Sequence, residues 1–431
     1  MQTRHNNIMR FLVPALALTA ALPLHAVDWP QYRGPSGDGK SPEKITVPAG
    51  TTAPKQVWKA PSEGGFSSFV VAGGRAFTLC LKDAEGAKQE SLVAYDVKTG
   101  KELWFAALNV PNFGNDGGNS GTPDNKGGDG PRSTPTTDGA NVYVMSSELV
   151  LRAFDAATGK PKWSHDLMKE FAGRNITWKN AASPLLEGGL LYVGGGGPGQ
   201  SLIAFNPRDG SIVWKAFDET ITHATPVATT ILGQRQIIFF LKSGLLALEP
   251  KTGRELWRYP FKWSTSTAAS PVVDGDIVYC SAGYGVGAGA VHITKEGLGF
   301  KATQIYLMSG PKSPLINHWS TPVVKDGYLY GMYNFKEYGK APVKCVDIKT
   351  GEVKWEQPGF GPGQVILVGD RVLALADNGD LVTFEAKPDA YHEISRAKVL
   401  DGKCWTTPIV SNGMIFARST KEAVCLDVSG K

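Results

Sequence analysis

One phrase recurs along this chain and constrains its fold more than any other feature. It runs: an apolar residue, any residue, a small residue, an apolar residue, an acid or Asn, then Gly and finally Trp. It reads LVAYDVKTGKELW ending at Trp104, LRAFDAATGKPKW at Trp163 and LIAFNPRDGSIVW at Trp214. It returns as LLALEPKTGRELW at Trp257 and VKCVDIKTGEVKW at Trp355. The alternation in LxAhD predicts a half-buried strand. The TG piece predicts a tight turn, because Gly accepts a backbone angle that other residues resist. The Trp opens a second strand and packs between neighbouring sheets.

A second phrase precedes each of these: STPTTDGANVYVMSS, ASPLLEGGLLYVGGG, TPVATTILGQRQIIFFL, ASPVVDGDIVYCSAG and STPVVKDGYLYGMYN. It predicts another hairpin, turned at Asp-Gly or a similar pair. Two hairpins make the four strands of one propeller blade. Repeats of this length are the mark of a solenoid, array or propeller. Counting units predicts an all-β, eight-bladed β-propeller of four-stranded antiparallel blades, with seven blades as the alternative. The closing positions are Trp58, Trp104, Trp163, Trp214, Trp257, Leu307, Trp355 and Val399. The last unit, TTPIVSNGMIFA to the C-terminus, is one strand short. KQVWKAP around Trp58 resembles an orphan fourth strand, so the two ends of the chain are expected to pair and seal the ring. The small position holds Ala94, Ala153, Ala204, Ala247, Cys345, Thr383 and Cys425, which predicts tight packing there.

Composition agrees with a turn-rich β protein: 431 residues with 51 Gly, 28 Pro and 10% aromatics. Arg4 and Arg10 followed by an apolar run from Phe11 to Leu24, shorter than a membrane span, predict a signal peptide over 1–26. Residues 27–54 then form an N-terminal extension and 55–431 the propeller. No cysteine follows the apolar run, so a periplasmic or secreted protein without a lipid anchor is expected, with no transmembrane segment in the mature chain. The formal charge is +5 and basic residues alternate with acids, which leaves no electrostatic footprint for nucleic acid. The five cysteines, Cys80, Cys280, Cys345, Cys404 and Cys425, contain no CxxC, and two occupy the small repeat position. They are read as buried packing residues.

The LxAhDxxTGxxxW repeat resembles that of the pyrroloquinoline quinone (PQQ) dehydrogenases. It also resembles that of their non-enzymatic relatives, such as the propeller lipoprotein of the outer-membrane β-barrel assembly machine. The resemblance covers about 58–431 and speaks for fold more than activity. DWPQYRGPSGDG, residues 28–39, resembles the opening of exported PQQ-like propellers. The dehydrogenases carry a disulfide between adjacent cysteines, a calcium held by acidic and amide side chains, and an Asp base over the quinone. No Cys-Cys pair is present here, though glucose-oxidising relatives also lack it, and no acid is placed at the inner start of a blade.

The blade plan sends the short Asp-Gly and TG turns to one face. The other face receives the long connections: 82–90, 109–131, 164–180, 194–200, 281–289 and 335–340. Such a rim is where binding sits. Reading back from each inner-strand Pro gives Arg132, Lys179, Asn180, His223, His318, Trp319 and Trp405, with Trp178 nearby. These cations, imidazoles and indoles suit an anionic, planar or sugar-like ligand. The loop at 112–130, rich in Asp, Asn and Gly, does not match a calcium loop. His165, His292 and His392 lack metal-ligand spacing, and no catalytic set or metal site is legible. The expectation is a monomeric, non-enzymatic binding or scaffold module acting on an envelope protein or glycan, without a firm cofactor. The alternative is a dehydrogenase that uses PQQ with Ca2+ to oxidise an alcohol or sugar.

Overall fold

A computed structural model describes Met1 and residues 27–112, 130–297, 299–334 and 341–430. The signal-peptide segment, most of the 112–130 loop and the 335–340 connection lie outside the described residues.

Eight antiparallel sheets stand in a ring. Blade 1 comprises Val70–Ala72, Arg75–Ala84, Ala87–Asp96 and Glu102–Asn109. Blades 2 to 7 span 136–166, 185–216, 227–260, 272–309, 323–357 and 364–398 in chain order. Blade 8 takes Ile409–Ser411, Met414–Arg418 and Glu422–Asp427 from the C-terminus. Its fourth strand, β2 (Lys55–Pro61), comes from the N-terminal region, with Trp58 opposite Cys425. The ring is therefore eight-bladed and sealed by the two ends of the chain, as the repeat count predicts. One addition was not legible. The short β1 (Lys40–Ser41) pairs in parallel with Gln364–Val368, so blade 7 has five strands.

The register explains the repeated phrase. The small residue faces the Trp across the hairpin: Ala94 with Trp104, Ala153 with Trp163, Ala204 with Trp214, Ala247 with Trp257 and Cys345 with Trp355. In blade 5 the same slot pairs Ala290 with Tyr306, and in blade 7 Thr383 with Ser395. Tyr306 and Ser395, rather than Leu307 and Val399, hold the closing positions; without Trp the sequence does not mark the register. All five cysteines are buried thiols.

The TG turn and the Trp belong to one device that joins neighbouring blades. Asp96 accepts from the amides of Lys98 and Thr99 and from the Thr99 hydroxyl, which folds the turn. Gly100 then sits at φ +69° against the preceding blade's indole: a Cβ there would lie 2.5 Å from the Trp58 ring. Gly159, Gly210 and Gly253 meet Trp104, Trp163 and Trp214 in the same way. Several indole N–H groups also donate to that next turn, Trp58 to the Val97 carbonyl, Trp163 to Pro207 and Trp214 to Pro250. Trp257 faces a blade without a TG turn and donates to Gln236 of its own blade instead. Gly253→Ala is expected to destabilise by about 3 kcal/mol, from a left-handed alanine and an overpacked indole. Urea unfolding measures it; a loss below about 1 kcal/mol would mean that the indole is not held as described.

At the inner edge, a Ser or Thr, followed by Pro except at Ser68, also couples blades. The Thr407 amide donates to the Ser68 hydroxyl, Ser68 to Thr134, Thr134 to Ser183 and Ser183 to Thr225, at 2.8–3.0 Å. Ser270 donates likewise to Thr321. Gln364 occupies this position in blade 7 and donates to the Trp319 carbonyl. This girdle satisfies buried backbone N–H groups that the sheets leave unpaired.

Candidate functional site

The residues just before the girdle gather at the mouth of the ring, on the face opposite the Asp-Gly turns. Phe66 lies 5.0 Å from Trp405, Trp405 4.6 Å from Trp319, and Trp319 4.6 Å from His318, centroid to centroid. His318 is 5.0 Å edge-on from Tyr284, which stacks at 5.9 Å on Trp178. The circuit closes through Arg132. Its Nη1 donates to the Trp178 carbonyl at 3.2 Å, and its guanidinium carbon is 5.8 Å from the Phe66 ring centre. Lys403 stands over Trp405 at 5.2 Å. All six aromatic groups are half-buried. The result is a collar of ring faces and edges carrying cations at its margin, suited to stacking and to hydrogen bonding with a partner's acceptors.

The eight residues read from the sequence divide in two. Arg132, Trp178, His318, Trp319 and Trp405 meet in the collar. Lys179, Asn180 and His223 lie behind it, buried. Asn180 donates through Nδ2 to the Ser146 and Ala182 carbonyls and accepts from the Ala182 amide. The Lys179 ammonium lies 3.6 Å from Glu148. His223 sets Nε2 at 2.8 Å from the Thr177 carbonyl and Nδ1 at 2.8 Å from the Ser266 hydroxyl. These three hold the turn that presents Trp178. Trp178 and Lys179 are both left-handed, at φ +63° and +62°, a conformation that costs a side-chain-bearing residue about 1–2 kcal/mol. His223 gripping the Thr177 carbonyl and Arg132 gripping the Trp178 carbonyl stabilise it from both sides.

Phe66 and Tyr284 were missed. Phe66 stands two residues before Ser68, as Trp319 and Trp405 stand two before Thr321 and Thr407, but Phe69 replaces the guiding Pro. Tyr284 lies in a tight turn at 283–286, since the strands on either side take up the rest of the 281–289 stretch that the sequence reads as a long connection. The 82–90 connection proves not to be a loop. Strands Arg75–Ala84 and Ala87–Asp96 run through it and turn at Glu85 and Gly86, both left-handed. Strong pairing of alternating residues overrides the polar composition there.

Burial, the dominant cause, lowers the His223 pKa to about 4 from 6.5, partly offset by its hydrogen bond to Thr177. The unfolded chain therefore binds a proton near pH 6.5 that the folded chain refuses until about pH 4. His223's contribution is present above pH 6.5 and is lost as pH falls from 6.5 toward 4, amounting to about 3 kcal/mol. His223→Asn should flatten the fall in urea stability between pH 7 and pH 4.5; an unchanged slope would reject this assignment.

Among the described residues, no three His, Cys, Asp or Glu side chains gather as a metal set. Glu90 is buried beneath the rim, its carboxyl pKa raised chiefly by desolvation. It accepts from the Ser147 amide and the Asn109 side-chain amide. Both donors reach the same carboxyl oxygen, Oε2, which serves here as a structural acceptor.

Comparison with known proteins agrees with the ring. A family model described as Outer membrane protein assembly factor BamB matches residues 46–195 and again 88–357. The chain is 23% identical over 285 residues to the Outer membrane protein assembly factor BamB of Yersinia pestis, across 62% of this chain and 68% of that protein. BamB from Moraxella catarrhalis superposes with a TM-score of 0.59 at 15% identity, covering 87% of this chain and 98% of that one. The quinohemoprotein alcohol dehydrogenase ADHIIG from Pseudomonas putida HK5 superposes with a TM-score of 0.64 at 12% identity, covering 94% and 81%. At such identities the two superpositions speak for the ring and not for its chemistry. The family model spans well over half of the chain, and the protein belongs to the PQQ-like repeat propellers of the family described as Outer membrane protein assembly factor BamB.

Proposed function

We propose that this chain is an exported, non-enzymatic scaffold of the cell envelope that holds a protein partner at its loop-rich mouth. The closed collar from Phe66 through Trp405, Trp319, His318, Tyr284 and Trp178 to Arg132 carries the reading. It gathers aromatic and cationic anchors from six places in the ring, the residue types that dominate protein interfaces. Relatives named for outer-membrane protein assembly support a partner of that kind. Lys179, Asn180 and His223 act as positioning residues behind Trp178. The apolar run over 11–24 supports export to the periplasm or beyond.

Photoreactive residues placed at positions 284 and 403 are expected to give one discrete protein adduct in intact cells, and position 326 on the turn face none. Equal adducts from both faces, or adducts to glycan alone, would overturn the reading. A PQQ-dependent dehydrogenase is the second reading, favoured by the polar, aromatic mouth. Dye-linked oxidation of an alcohol or sugar by the purified chain with PQQ and Ca2+ would replace the scaffold reading; absence of PQQ binding at micromolar levels would remove the dehydrogenase.

A further inference from the structure

Residues 27–41 do not hang from the ring as an extension. They cross its central channel on the turn face and touch the inner edge of six blades. The Val27 carbonyl accepts from Ser411 of blade 8. Trp29 exchanges both backbone hydrogen bonds with Val71 of blade 1, at 2.9 and 2.8 Å. The Pro30 carbonyl accepts from the Thr137 amide of blade 2, and the Gln31 side chain from the Leu186 amide of blade 3. Arg33 reaches the chain entering blade 6, where Nη1 donates to the Thr321 carbonyl at 2.9 Å and Nη2 to Pro322 at 2.8 Å. The Gly39 carbonyl accepts from Leu367 and that of Ser41 from Gly369, in blade 7.

The amides of Val71, Thr137 and Leu367 lie on innermost strands, whose free edge looks into the channel. A sheet edge left there would be an unpaired row of donors. The segment satisfies these donors with its own backbone carbonyls, and it is folded for the task. Trp29 packs on Gly34, where a Cβ would come within 3.0 Å of the indole at φ +85°. Gly39 leaves room for the Arg33 guanidinium, 2.6 Å from where its Cβ would be. Trp29 is 1% and Arg33 2% exposed. A buried guanidinium is held only where its donors are met, and Arg33 meets carbonyls of blade 6 and of Asp38.

We infer that residues 27–41 are a permanent floor across the channel, bolted by Arg33, and that the ring is a cup open only at the collar. Anything the protein holds then enters and leaves by the mouth. The inference stands apart from what the mouth binds.

Residue-resolved hydrogen exchange on the full chain tests it. The amides of Val71, Thr137, Leu186 and Leu367 are expected to exchange at least a hundredfold slower than exposed-loop amides. Arg33→Met should speed all four tenfold or more and change Ile203, in the middle of blade 3, less than twofold. Rapid exchange of the four amides in the parent chain, or no change in them with Arg33→Met, would overturn the floor. Gln31→Ala removes the acceptor of the Leu186 amide, with a local bond to the Pro35 carbonyl, and serves if Arg33→Met fails to fold. It should speed Leu186 tenfold, and an unchanged Leu186 would equally overturn the inference.

Discussion

Arg418→Ala is expected to destabilise the propeller by about 4 kcal/mol, with most of the loss at the seam between blades 8 and 1. Arg418 is fully buried. Its Nε donates to the Ser62 hydroxyl, Nη1 to the Gly65, Ser67 and Leu79 carbonyls, and Nη2 to the Glu63 backbone carbonyl at 2.6 Å. One planar group thus ties the last C-terminal hairpin to the entry and second strand of blade 1. Hydrogen bonds to a charged donor contribute about 1.5–3 kcal/mol each in favourable cases. Truncation would orphan several acceptors and leave a cavity the size of the side chain. Desolvation of the guanidinium, which lowers its pKa, opposes part of that gain, so the sum stays well below the five bonds taken singly. Arg418→Lys should recover little, because an ammonium cannot reproduce the fork. Urea unfolding at pH 7 measures both variants. A loss below about 1 kcal/mol for alanine would show that the seam does not depend on this residue.

The second large effect concerns Trp58. Trp58→Ala should destabilise by about 3–5 kcal/mol, the usual range for removing a buried indole. The cost should fall on closure in particular. Trp58 sits on β2, pairs with Cys425, packs on Gly100 of blade 1 and donates to the Val97 carbonyl. Losing it loosens both the docking of blade 8 on blade 1 and the strand that joins the chain ends. Trp163→Ala is the comparison, because Trp163 makes the same contacts with Gly210 and Pro207 inside continuous chain. Both variants should lose similar stability. Only Trp58→Ala should expose the Ala423 and Cys425 amides, which face β2, to exchange tenfold faster or more. Equal exchange in the two variants would mean that the terminal strand is not the weak point of the ring.

The repeated elements were legible because their physics is local. A small residue opposite a Trp, an acid folding a TG turn and an alternating strand each act within about ten residues, so one blade announces itself in the sequence. Tyr306 and Ser395 show the limit. There the hairpin keeps its pairing without the Trp, and nothing in the sequence marks the register. The collar was legible in part. Trp319 and Trp405 share an offset from Ser/Thr-Pro that could be followed, whereas Phe66 lost its Pro and Tyr284 belongs to a different connection.

The sequence by itself determined that this chain makes a ring of radial four-stranded sheets, with eight favoured over seven, and that its two ends should meet, since most hairpins carry their own turn, pairing face and docking Trp. Only the tertiary structure decided what happens at the axis. The collar takes single residues from positions as far apart as Phe66 and Trp405, and the floor lays 27–41 across inner edges that exist only once the ring has closed. Contacts between such distant residues depend on the path of the whole backbone, and no short-range pattern encodes them.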